Sequence, residues 1–265
     1  MRIVTWNINS VRLRLANVER LTKTLNPDVI CLQETKVQDP DFPHDALAGY
    51  GYKHRAIRGM KNYNGVAILS RLPFSANGGD DWCGKQDCRH VSVKLPGDIE
   101  LHNFYIPSGG DIPDPKVNDK FAHKLQFMTE LAAWSKKRKR SGKHGRTVIV
   151  GDFNVAPLET DVWSHKQLLD VVSHTPVEVE HLERLRAAED WLDAVRHFIR
   201  PEQKLYSWWS YRARDWRASD RGRRLDHIWV TRPLTSALKR AEILKDARDW
   251  MPASDHVPVA VDIEP

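Results

Sequence analysis

Between positions 2 and 8, apolar and polar residues alternate in a stretch of β-favouring side chains and predict a first strand. From Ser10 onward the period changes, and Val11, Leu15, Val18 and Leu21 recur at helical spacing. Ser10 is a suitable N-cap and Asn26-Pro27 a stop, so a helix is expected from Ser10 to about Leu25. Positions 28–33 are then almost continuously apolar, as in a strand buried on both faces, and the run ends at Glu34. Strand, helix and strand in this short span make a βαβ unit. Further strands are expected at 65–69, 91–95, 101–105, 147–150, 225–231, 240–245 and 257–263. A long helix is expected over 115–137, with Phe121, Leu125, Met128 and Leu131 on one face. Another is expected over 177–198, carrying Leu182, Leu185, Ala188, Leu192 and Val195. No linker-like, repetitive or low-complexity segment interrupts this order. Residues 1–265 therefore read as one α/β domain, with sheets packed together and helices outside.

The chain has 265 residues, 41% of them hydrophobic, which suffices for a large core. No apolar run approaches ~18 residues, so no membrane span is expected. The opening Met-Arg-Ile-Val-Thr-Trp is a strand pattern rather than a secretory signal, and a cytoplasmic location is expected. A net charge of +6 favours polyanionic partners. The densest basic run, Lys136 to Arg140 with Ser-Gly-Lys-His-Gly-Arg after it, reads as a helix C-terminus entering a solvated loop. Three cysteines, Cys31, Cys83 and Cys88, do not form a disulfide framework. Cys83, Cys88 and His90 offer only three donors at a non-standard spacing, so a zinc site is not expected.

Chemistry gathers at strand ends. Trp6-Asn7-Ile8-Asn9, Leu32-Gln33-Glu34-Thr35-Lys36, Gly151-Asp152-Phe153-Asn154 and Ser254-Asp255-His256 each put carboxylates or amides at or near such an end. Arg224-Leu225-Asp226-His227 places an acid at the start of another strand. Any one of these, alone, is most often a turn or cap residue. Several buried carboxylates at one edge are costly unless a positive group gathers them, and a hard divalent cation with oxygen ligands fits that need.

As an ordered set these residues are similar to the exonuclease III-type apurinic/apyrimidinic endonucleases, in the DNase I-like endonuclease/exonuclease/phosphatase superfamily. The match includes Trp6 to Arg12, Pro27 to Lys36, Tyr63 to Ala67 and Asn103 to Pro107. It continues through Gly151 to Pro157, Tyr206 to Tyr211, Arg224 to Asp226 and Ser254 to Pro258. The resemblance implies a four-layer α/β sandwich: two packed mixed β-sheets flanked by helices, with the site at one rim. It implies a Mg²⁺-dependent (or Mn²⁺-dependent) DNA phosphodiesterase of base excision repair. That enzyme would be a monomer acting on double-stranded DNA at abasic sites or 3′ ends.

Residue by residue, Glu34 resembles the metal-binding glutamate, with Asn7 organising that position and Asp255 in the same cluster. Asp152 resembles the aspartate that orients or deprotonates the attacking water, and Asn154 its companion. Tyr105 resembles a tyrosine that contacts the scissile phosphate, and His256 a phosphate-binding histidine partnered by Asp226. Trp208 and Trp209 resemble an aromatic loop that lines the pocket for an extruded base-less sugar; either one alone could equally belong to the core. Arg12, Lys36, Arg89 and Arg212 are expected backbone contacts. The chain also departs from the pattern. Asn9 stands where one branch carries Asp, and Ser108 where Asn or Gln is common. Arg223 stands where many relatives have Trp, making the pocket more cationic, and His227 replaces a Tyr or an apolar residue. Positions 158–177 do not align. The alternatives are another phosphoesterase of the superfamily, sphingomyelinase-like or phosphoinositide-phosphatase-like, and a nucleic-acid-binding module without catalysis.

Overall fold

The apolar run Val29–Gln33 is buried at every position, as a strand covered on both faces must be, and it lies inside a sheet. The computed structural model describes residues 1–141 and 145–264. In chain order, the strands are β1 (Arg2–Asn7), β2 (Val29–Gln33), β3 (His54–Met60), β4 (Tyr63–Ser70), β5 (Ser75–Gly78), β6 (His90–Leu95) and β7 (Ile99–Tyr105). There follow β8 (Thr147–Asp152), β9 (Leu192–Asp193), β10 (Trp208–Trp209), β11 (Gly222–Arg223), β12 (Asp226–Val230), β13 (Leu238–Ile243) and β14 (Val259–Ile263). The helices are α1 (Leu15–Leu25), α2 (His44–Gly49), α3 (Asp119–Arg140), α4 (His165–Leu168), α5 (Pro176–Glu189) and α6 (Trp216–Ser219).

Two six-stranded sheets result, ordered β13-β14-β1-β2-β4-β3 and β5-β6-β7-β8-β12-β9. Within them β1 and β2 run parallel, as do β7 and β8, and the other pairs are antiparallel. Alternation of side chains divides each strand between two cores. Ile3, Val29 and Ile68 meet Val93, Leu101, Val148 and Ile228 between the sheets. Val4, Ile30 and Leu32 face outward onto Val18, Leu21 and Leu25 of α1. Phe104, Ile149 and Trp229 face outward onto Phe121 and Met128 of α3 and Leu182 and Leu185 of α5. The layers run helix, sheet, sheet, helix, as expected, and each fully buried Leu, Ile or Phe contributes about 1.5–3 kcal/mol.

Some boundaries differ from the sequence reading. The first helix begins at Leu15, with Arg14 at the cap position; Ser10 adopts φ 85° and is tied through its N–H to the Glu34 carbonyl, outside the helix. The helix expected to reach Phe198 stops at Glu189, where Asp190 turns left-handed (φ 58°). Its start is set by Thr175, in a capping box with Glu178. Asn118 caps α3, whose basic end runs to Arg140; the expected loop at 142–144 lies outside the described residues. Strands β3 and β5 were not expected, being polar or short, and each lies at a sheet edge. Among the described residues no helix is long and apolar enough to cross a membrane.

Candidate active site

Parallel pairing carries the C-terminal ends of β1, β2, β7 and β8 to one rim. Asn7 pairs with Gln33 in one sheet, and Tyr105 pairs with Asp152 in the other. Antiparallel β12 enters there, so Asp226 pairs with Asp152. Asn7 spans the sheets: its Nδ2 donates to Glu34 Oε1 and to Asp152 Oδ2, both at 2.9 Å. Tyr105 donates its hydroxyl to the same Glu34 oxygen (2.8 Å). His256, just before β14, has Nδ1 2.8 Å from Asp226 Oδ2 and Nε2 3.6 Å from Asp152 Oδ2.

The local backbone is built for this convergence. At Gly151 (φ 146°) a Cβ would stand 1.8 Å from the Phe104 carbonyl oxygen, so only glycine lets β8 pass β7 immediately before Asp152. Glu34 (φ 50°) and Asn154 (φ 55°) sit in the left-handed region, a conformation that surrounding bonds must hold and that clusters at functional sites. Asn154 donates its N–H to Asp152 Oδ1 (2.9 Å) and its Nδ2 to the Ile106 carbonyl (2.9 Å).

Electrostatics follow from burial and from the company each group keeps. Burial pushes the Asp152 carboxyl up, and neighbouring Asp226 and Glu34 add to the rise. Burial opposes charge on His256, but Asp226 and Asp152 outweigh it and hold the imidazole up at about 10. Burial also works against the Glu34 carboxylate; Lys36, Asn7 and Tyr105 overcome this and bring it below its usual range. At neutral pH the rim therefore offers an imidazolium, a carboxylate and a tyrosine whose pKa burial raises well above 10.

One cavity of about 630 Å³ collects most of the expected residues. Glu34, Tyr105, Ser108, Asp152, Asn154, Trp208, Arg212, Arg223, Asp255 and His256 all line it. Asp255 accepts from Trp208 Nε1 (3.0 Å) and Asn9 Nδ2 (3.3 Å). Arg12 is exposed beyond β1 and does not line this cavity. Two expected substrate contacts are corrected. Trp209 is 1% exposed and packs on Tyr206 and Trp216, because side chains alternate along β10 and Trp208 takes the cavity face. Arg89 is buried behind Tyr105, paired with Asp87 and bonded to the Tyr105 carbonyl (3.2 Å), so it supports that tyrosine instead. His227 is a packing residue: it stacks on Phe153, and burial lowers its pKa to about 4.

The unaligned stretch supplies a wall. Trp163, Val171, Val172 and Ser173 line the cavity, and Val162 bridges to Arg223. Sequence reasoning also missed Ser207, whose hydroxyl donates to Asp226 Oδ2 (2.6 Å) and accepts the Leu225 and Asp226 amides. It missed the fully buried Lys124–Glu178 pair as well. Lys124 Nζ donates to the Asn154 carbonyl (2.7 Å) and the Ser108 carbonyl (3.2 Å), while Glu178 accepts the Ser173 N–H (2.9 Å). Three cavity loops thus hang on one ion pair. Removing one partner of such a pair strands the other, so Lys124→Met is expected to cost about 3–5 kcal/mol in urea unfolding. A loss below about 1 kcal/mol would show that the pair is dispensable.

The donors suit a hard divalent cation. Lys36 Nζ lies 2.8 Å from Glu34 Oε2 and 2.6 Å from Asn9 Oδ1, so these oxygens already converge on a positive charge. Asn7 turns its N–H groups toward Glu34 and Asp152 and gives its oxygen to the Asn9 N–H (3.1 Å). It thereby fixes the orientation of the Glu34 carboxylate. Asp152, Asp226 and His256 also place donor atoms within 4.8 Å of one another.

A rim of this kind at the strand ends of a four-layer sandwich defines a class of phosphoesterases. A model of the endonuclease/exonuclease/phosphatase family matches residues 4–256, and the chain belongs to that family. Exodeoxyribonuclease III of Haemophilus influenzae is 29% identical over 273 residues, with 98% of each chain covered. An exodeoxyribonuclease of Bacillus subtilis is 27% identical, again covering 98% of both. An AP endonuclease structure from Archaeoglobus fulgidus matches the whole of both chains at 30% identity with a TM-score of 0.90. A 3′-5′ exonuclease from Neisseria meningitidis does so with the same identity and score.

Proposed function

We propose that the chain is a divalent-metal-dependent nuclease of DNA repair, cutting on the 5′ side of abasic sites and processing 3′ ends. The observation that carries this reading is the single bonded chain Tyr105–Glu34–Asn7–Asp152, closed by His256 and Asp226, opening on an arginine- and tryptophan-lined cavity. Family membership and exodeoxyribonuclease relatives support the same reaction class.

Asp152 is the group that takes the proton of the attacking water, and Asn154 Oδ1 orients that water beside it. His256, kept protonated by Asp226, donates to a non-bridging phosphate oxygen as negative charge builds on it. Tyr105 holds Glu34 and faces the phosphate. Glu34 would hold Mg²⁺, aided by Asn9 and Asp255, and Lys36 would move aside. When bound there, the cation would supply electrostatic stabilisation of the charge that builds on the phosphate. Lys36, Arg12 and Arg212 meet the DNA backbone, and Trp208 with Leu225 receives the extruded sugar. The chain acts as one domain, as a monomer, in the cytoplasm.

The test is purified protein on a duplex with one abasic analogue, a matched intact duplex and single-stranded DNA, each with Mg²⁺ or EDTA. Cleavage at the abasic position should fall at least ~100-fold in EDTA, and Glu34→Ala should fall likewise. Hydrolysis of a phospholipid headgroup without DNA cleavage would replace the reading, as would tight DNA binding without cleavage in any metal.

A further inference from the structure

Arg14, at the head of α1, is a buried cation that spends its N–H groups on carbonyls and one hydroxyl. Among the described residues no carboxylate lies within ion-pair distance of it. Its Nη1 donates to the Asn9 carbonyl, and its Nη2 to the Ala253 carbonyl (2.7 Å) and the Tyr211 hydroxyl (2.9 Å). Its Nε is buried without a partner. Tyr211 donates in turn to the same Ala253 carbonyl (2.9 Å). Burial raises the pKa of that hydroxyl and Asp255 adds to the rise, so the proton needed for this bond stays in place. One helical turn on, Asn17 Nδ2 donates to the Trp250 and Pro252 carbonyls, both at 2.9 Å. Arg14 and Tyr211 thus tie three loops together: that of Asn9, that of Ser210 and Arg212, and the one leading into Asp255 and His256.

A buried charge without an opposite partner is costly. What this one sets in place is Asn9. That residue takes φ 47°, a left-handed conformation that surrounding bonds must hold. Its N–H is held by Asn7 Oδ1 (3.1 Å) and its carbonyl by Arg14. Its side-chain nitrogen stands between two acceptors, the Tyr211 hydroxyl and Asp255 Oδ1, each at 3.3 Å. With the nitrogen engaged on that side, the side-chain oxygen faces the other way, 2.6 Å from Lys36 Nζ. The same ammonium is 2.8 Å from Glu34 Oε2, so the Asn9 and Glu34 oxygens share one positive charge. A carboxylate at position 9 would turn an oxygen toward Asp255, whereas an amide offers a donor there.

We infer that Arg14 and Tyr211 are positioning residues for the divalent cation: they fix the direction in which Asn9 faces and so present its Oδ1 beside Glu34 as a ligand oxygen. They act through Asn9 and the loop before Asp255, not by contact with the reacting atoms. Groups that orient a metal ligand from behind typically change metal affinity by about 10–100-fold when removed. The inference rests on the reading of the chain as a metal-dependent DNA phosphodiesterase and adds the residues that set its affinity for the metal.

The test titrates Mn²⁺ into DNA-free protein, followed by the electron paramagnetic resonance of free Mn²⁺, for wild type, Tyr211→Phe and Arg14→Lys. Tyr211→Phe keeps the ring, removes only the hydroxyl, and should weaken Mn²⁺ binding by about 10-fold. Arg14→Lys keeps the charge but not the planar fork, and should weaken it in the same direction. For both, the Mg²⁺ concentration that gives half-maximal cleavage of an abasic duplex should rise, and added Mg²⁺ should recover most of the lost rate. Affinity for that duplex in EDTA should stay as in wild type. Asn9→Ala should lose at least as much Mn²⁺ affinity, and adding Tyr211→Phe to it should cost no more, because the hydroxyl acts through that amide. Unchanged Mn²⁺ affinity in Tyr211→Phe overturns the inference. So does a loss that adds in full to that of Asn9→Ala, or one matched by lost duplex affinity in EDTA, which would mark general disruption. Wild-type protein that binds no Mn²⁺ and cuts no duplex in Mg²⁺ would instead remove the metal-dependent reading itself.

Discussion

Asp152→Asn is expected to lower single-turnover cleavage of an abasic duplex by about 10³–10⁴-fold, with little change in DNA affinity. The substitution keeps the shape of the side chain and the bond from the Asn154 amide, but it removes the oxygen that accepts the water proton. It also removes one of the negative neighbours of His256, which adds to the loss. Because burial raises the pKa of Asp152, the wild-type rate should climb with pH on its acid side as the carboxylate forms. That climb should disappear from the residual activity of the variant. A variant within about tenfold of wild type, with the same acid limb, would remove Asp152 from the role of base.

The second large effect concerns a residue that need not touch the substrate. Asp226→Ala is expected to lower turnover by about 10²–10³-fold and to move the alkaline limb of the pH profile toward neutrality. The sign follows from the environment of His256. Burial alone favours the neutral ring, and Asp226 is the foremost group opposing it, through a 2.8 Å contact that also sets the ring's orientation. With Asp226 the imidazolium persists to about pH 10; without it the proton leaves at lower pH, and the phosphate loses its donor as pH rises. The loss should therefore be larger at pH 8.5 than at pH 6.5. Ser207, which donates to the same carboxylate oxygen, would be left without that acceptor. Wild-type turnover with an unchanged profile would break the proposed pairing.

Much of this centre was legible because its residues fall at strand ends, and strand ends can be read from hydrophobic runs. Asn7, Glu34 and Asp152 each stand where a buried run stops, and parallel pairing carries those stops to the rim, while His256 stands where antiparallel β14 is about to begin. Trp209 was misplaced although the rule that places it is elementary: two adjacent residues in a strand face opposite ways, so only one of Trp208 and Trp209 could line the cavity. Which one does so depends on contacts with Tyr206 and Trp216 that adjacency does not reveal. Ser10 looked like a cap because its partner, the Glu34 carbonyl, is 24 positions away in sequence. The Lys124–Glu178 pair joins two helices 54 residues apart, and neither residue differs in the sequence from an ordinary solvated charge. Buried ion pairs of this kind become visible only when packing places the helices side by side.

The order of strands also matters while the chain is being made. Glu34, Tyr105 and Asp152 emerge early, and domains fold largely as units during synthesis. Yet β14 must lie between β1 and β13 in its sheet, and His256 immediately precedes it. A ribosome-bound chain short of residue 256 thus carries Glu34, Tyr105 and Asp152 but lacks His256 and the strand that joins β13 to β1, so the rim is completed only after most of both sheets has been made.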